Sequence, residues 1–106
     1  MKTYLVAYRV HENEASGRRD LGSLYAALQS LEAFARPMES VWVVCTALTA
    51  TQLYRKLAPF FEGEDRLLIV ECGQDAEWRG VPLDTSVWLE NEISSLRYRA
   101  ARRRSA

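Results

Sequence analysis

A chain of 106 residues that is 48% hydrophobic and 26% charged has the size and composition of one globular domain. No apolar run approaches the ~18 residues that cross a bilayer, the N-terminus does not read as a signal peptide, and one histidine with two cysteines makes no metal-ligand spacing. The formal net charge is zero, yet five of the 14 basic residues sit in the last ten positions, which hold no acid; a basic tail follows an acidic body.

The chain opens on Lys2-Thr-Tyr-Leu-Val-Ala-Tyr-Arg-Val10. Tyr4, Val6, Tyr8 and Val10 alternate with Thr3, Leu5, Ala7 and Arg9. Both sides are largely apolar, which predicts a strand in the middle of a sheet. Residues His11 to Arg19 are polar, contain Gly17 and lack periodicity, so they read as a loop. Asp20 is the expected cap of a first helix over 21–34, striped by Leu21, Leu24, Leu28 and Leu31. Pro37 marks the segment from Ala35 to Ser40 as a short edge strand. Val41-Trp-Val-Val-Cys-Thr-Ala47 is β-branched and apolar on both sides, a second central strand joined to that edge by a tight turn. Thr49 and Gln52 have the spacing of a capping box before a helix with Leu53 and Leu57 on its stripe, ended or kinked at Pro59. Arg66 to Cys72 is the fourth strand. After an irregular stretch, Asp84 is the expected cap of a third helix buried through Val87, Trp88, Ile93 and Leu96. One domain over residues 1–96 and a frayed basic tail over 97–106 follow from this pattern.

The order strand, helix, strand, strand, helix, strand predicts an α+β, ferredoxin-like (βαββαβ) four-stranded antiparallel sheet, with the crossover helices on one face and an additional C-terminal helix. The first and third strands belong in the centre. Two crossover helices cover one face only. The other face is too apolar to stay open, so the third helix and a second copy are expected to share it, making a homodimer. Cys45 and Cys72 are expected to be reduced core residues, and the location cytoplasmic.

Tyr4-Leu-Val-Ala-Tyr8, the leucine-striped helix, Ser40-Val-Trp-Val-Val44, Leu48-Thr-Ala-Thr-Gln52 and Gly80-Val-Pro-Leu-Asp84 together resemble small bacterial SinR-like proteins. Those are similar to the ferredoxin-like dimeric subunit of the CRISPR adaptation complex and, more distantly, to VapD-type toxin ribonucleases. The resemblance covers about residues 1–95. It implies a homodimeric, nucleic-acid-associated assembly protein. Members of the CRISPR-subunit group usually carry an aspartate after the tyrosine that ends the first strand, where two copies hold a divalent metal. Here that residue is Arg9, which cannot ligate a cation.

The candidate site residues divide into two sets. Arg9, Arg18, Arg19, Arg97, Arg99, Arg102, Arg103 and Arg104 are candidates for contact with the phosphates of DNA or RNA, with Arg36 as a possible neighbour. Ser16-Gly17-Arg18-Arg19 weakly resembles an anion-binding loop. Glu12, Glu14 and His11 are candidates only under an alternative ribonuclease reading, which alone would use Mg²⁺. Without it the function is non-catalytic and needs no cofactor or metal. A module binding a protein partner through its tail is a third reading. Tyr4, Tyr8 and Trp42 would stack bases if their sheet face were open, and are core or interface residues if it is closed.

Overall fold

The computed structural model describes residues 1–11 and 20–93. Its elements run β1 (Lys2–Arg9), α1 (Gly22–Gln29), β2 (Ala33–Met38), β3 (Val41–Thr46), α2 (Ala50–Leu57), a 3₁₀ turn (Ala58–Phe60), β4 (Arg66–Glu71) and α3 (Leu83–Glu92). The four strands form one antiparallel sheet in the order β2-β3-β1-β4. The strands richest in two-sided apolar sequence, β1 and β3, are central. The proline-bearing β2 is an edge, and its pairing with β3 is irregular between Ala35 and Met38, around Pro37, which has no N–H to donate. The expected tail, together with Leu96, lies outside the described residues.

Register decides what each face carries. Tyr4 pairs with Val44 and Val6 with Trp42, while on the other side Val6 pairs with Ile69 and Tyr8 with Leu67. These side chains meet Leu24, Leu28, Leu31, Leu53 and Leu57 of the α1 and α2 segments in one core. Each fully buried leucine contributes about 1.5–3 kcal/mol. Tyr4, Tyr8 and Trp42 are therefore core residues, and no base can stack on them. Their polar atoms are satisfied inside: the Tyr4 hydroxyl donates to the Leu48 carbonyl at 2.8 Å, and the Trp42 indole N–H donates to the Tyr8 hydroxyl at 3.1 Å.

Three element boundaries differ from the sequence reading. The first helix stops at Gln29 instead of Phe34, because 33–38 is drawn into the sheet and Phe34 pairs with Val44. Asp20 does not cap that helix in the expected frame: Leu21 holds the cap position, and the Asp20 carboxylate accepts from the Gly22 N–H at 2.8 Å. Pro82, not Asp84, precedes α3, with Asp84 in its first turn, where a negative charge suits the helix dipole. The residue α3 buries is Leu89, and Val87 is 49% exposed. The capping box of α2 forms as expected, Thr49 accepting from the Gln52 N–H and Gln52 from the Thr49 N–H.

The opposite face carries Thr3, Leu5 and Ala7 of β1, paired with Cys45, Val43 and Val41 of β3. Leu5 and Ala7 also pair with Val70 and Leu68 of β4. α3 lies on this side. Leu89 and Ile93 border a groove with Leu5, Val43 and Val70, and Glu92 accepts from the Cys45 thiol at 3.4 Å. Trp78 in the preceding loop donates its indole N–H to the Ser86 hydroxyl at 2.9 Å, which ties that loop to α3.

Leu53→Ala is expected to cost about 2–5 kcal/mol in chemical denaturation, because it empties a core position. Thr49→Ala removes only the capping box and is expected to cost about 1 kcal/mol. A second expectation concerns alkali. Cys45 and Cys72 are free, and burial pushes both thiols above their ordinary pKa. The stability they contribute by staying protonated is complete below the thiol pKa of the unfolded chain. It is lost as pH rises through the higher folded values, so melting temperature should fall above about pH 8.5. Replacing both by Ser should flatten that limb.

Candidate functional site

Where β1 ends and β4 begins, the ladder places Arg9 directly opposite Arg66. Alternation puts both on the same side as Ala7 and Leu68, so the apolar face ends in two arginines. Residues directly opposite in an antiparallel pair have Cβ atoms about 4.5–5.5 Å apart, and like charges there repel. The two arginines line a cleft of about 460 Å³ with His11 and Glu64.

The cleft is shaped by the turn that leads into β4. Gly63 adopts φ 51°, in the left-handed region that favours glycine, and the Asp65 N–H donates to the Glu62 carbonyl at 3.0 Å. The Asp65 carboxylate then fastens two strands: Oδ1 accepts from the His11 backbone N–H at 2.7 Å and Oδ2 from the Glu62 N–H at 2.9 Å. The chain leaving β1 is thereby held against the turn before β4. Glu64 Oε2 lies 3.6 Å from His11 Nδ1, an exposed contact. Among the described residues, neither Arg9 nor Arg66 has a carboxylate within ion-pair distance, and the two arginines outnumber the one described acid of the cleft, Glu64.

Of the residues singled out from sequence, the structure brings Arg9 and His11 into this cleft. Glu12, Glu14, Arg18, Arg19, Arg97, Arg99, Arg102, Arg103 and Arg104 lie outside the described residues. Arg36 does not join Arg9. It sits on the β2 edge, with its guanidinium 4.5 Å from the Tyr25 ring centroid and 5.4 Å from that of Trp42, and it donates to the Glu39 carbonyl at 2.6 and 2.8 Å. Stacked and hydrogen-bonded, it is a structural cation on the helix-covered side. Arg66 and Glu64 were missed. The signal that finds Arg66 is the register of β1 on β4, which brings two isolated arginines into one pair.

Among the described residues no three His, Cys, Asp or Glu side chains converge on a point where an ion would sit. No described helix is long and apolar enough to cross a membrane.

No family model, no curated protein and no solved structure matches this chain significantly.

Beside the arginine pair lies the remainder of the apolar face. Leu68 and Val70 on β4 are 57% and 48% exposed, and Met38 on β2 is also exposed. Between β4 and α3 runs a groove of about 490 Å³, lined mainly by apolar side chains that include Leu5, Val43, Val70, Trp78 and Leu89. Among the described residues, α3 packs against β2, while Leu68 and Val70 of β4 stay exposed.

Asp65→Ala removes acceptors for two backbone N–H groups at once. It is expected to cost about 1–2 kcal/mol and to speed hydrogen exchange at His11 and Glu62, leaving the α2 amides unchanged.

Proposed function

We propose that the protein is a non-catalytic, homodimeric assembly protein of the cytoplasm that contacts the phosphates of DNA or RNA. In this reading the fold is ferredoxin-like: taken from the other edge, the strand order is β4-β1-β3-β2, with a crossover helix after β1 and another after β3. The chain then belongs with the SinR-like proteins and the CRISPR adaptation subunit they resemble.

The observation that carries the assembly reading is the half-covered face. Leu68 and Val70 stand in water on an edge strand beside an apolar groove. Such a surface favours association, and a second copy is the simplest cover for it. The nucleic-acid part is supported by the arginine pair at the end of that face and by the five arginines among the last ten residues of the sequence. Arg9 stands where a metal-binding aspartate would be needed for metal-assisted cleavage, which favours a platform over a nuclease.

A second reading rests on one contact. His11 beside Glu64, with two guanidiniums in the same cleft, is a base, an orienting carboxylate and a charge stabiliser, the minimum for RNA cleavage without metal.

Light scattering of the full chain should give twice the monomer mass. Leu68→Glu with Val70→Glu should give the monomer with an unchanged far-ultraviolet circular dichroism spectrum. A wild-type monomer at high concentration refutes the dimer. Incubation with RNA, with and without Mg²⁺, should leave the RNA intact; cleavage abolished by His11→Ala or Glu12→Ala would establish the second reading instead.

A further inference from the structure

We propose that Arg9 and Arg66 act as one clamp for a single phosphate of a polynucleotide backbone. This deepens the nucleic-acid reading above and rests on it. Two arginines directly opposite in a ladder repel each other, and the described residues supply no carboxylate to either. The one described acid in the cleft, Glu64, lies against His11, and the carboxylate next to it, Asp65, accepts from the backbone N–H groups of His11 and Glu62. Nothing described cancels the pair, and an anion between the guanidiniums would turn repulsion into attraction.

The ligand class follows from the donors. Each guanidinium presents a planar fork of N–H groups that matches the oxygens of a phosphate, and two forks side by side surround one group from two directions. All four described residues of the cleft are exposed, within reach of a long strand. Arginine contacts with phosphate oxygens carry no base information, so binding is sequence-blind. The β1–β4 register and the Asp65 fastening fix the two backbone positions side by side, so the pair is adjacent before the ligand arrives.

The test uses the full chain and the exposed-site variants Arg9→Gln, Arg66→Gln and the double variant, with folding checked by circular dichroism. In filter binding to a duplex oligonucleotide from about 20 to 200 mM salt, the double variant is expected to lower the slope of log affinity against log salt by about 0.9, the value of one phosphate contact. Each single variant should weaken binding but lose less slope than the double one, because the remaining guanidinium still holds the shared phosphate. In a separate arm, inorganic phosphate at constant ionic strength should raise the melting temperature of the wild type and not of any variant. If the wild type binds and the double variant keeps its slope, or loses about twice the value of one contact, the clamp is wrong and the nucleic-acid reading survives. If the wild type binds no oligonucleotide at low salt, that reading falls. The phosphate arm then decides the clamp: a shift lost in the variants supports a site for a free phosphate or mononucleotide, and no shift overturns it.

Discussion

Alternation along β1 is the constraint on which the rest of the molecule depends. Successive residues of a strand point to opposite faces, and β1 sits between β3 and β4, so each of its side chains is placed among neighbours from both. Tyr4, Val6 and Tyr8 go into the helix-covered core, and Thr3, Leu5, Ala7 and Arg9 go to the face shared with α3. A slip of one residue would put Arg9 beneath the helices and Tyr8 into water. The same register that seals the core therefore builds the arginine pair.

The core side is also where the polar side chains are most tightly accounted for. Tyr8 offers the clearest case: burial raises its hydroxyl pKa, and the bond from the Trp42 indole partly offsets that rise. Thr46, fully buried, uses its hydroxyl to accept from the Leu48 N–H at 3.2 Å, just before α2 begins. Arg36 closes the β2 edge by lying over Tyr25 and Trp42. The Trp42–Tyr8 bond and the Arg36 stacking tie the aromatic rings of this side together. Among the described residues one helix lies on the opposite face, with Leu89 as its buried anchor, and the two ends of the face differ chemically: arginines at the β1 exit, and the loop carrying Trp78 at the β4 exit.

Much of this was legible in the residues. The two-sided apolar runs marked β1 and β3 as central, Pro37 marked β2 as an edge, and Thr49 with Gln52 marked the start of α2. Each signal is local: strand alternation, a missing N–H and a capping box need only a few neighbouring residues. The misread boundaries were those where tertiary pairing overrode local pattern. Phe34 continues the leucine stripe of α1, yet it is taken by β3, because a strand edge offers backbone hydrogen bonds that a helix end does not. α3 is the other case. Val87, Trp88 and Leu89 are consecutive, and only the position of the sheet decides which of them is buried.

The sequence by itself determined the element order, the central and edge strands, and that one sheet face would need more cover than two helices supply, because hydrophobic periodicity is written residue by residue. It also made Arg9 an odd residue for the end of an apolar strand. What only the tertiary structure decided is the partner of that arginine. Arg66 is 57 positions away in a turn-strand segment with no motif around it, and a ladder register is a property of two strands together. Alternation within either one leaves the pairing open.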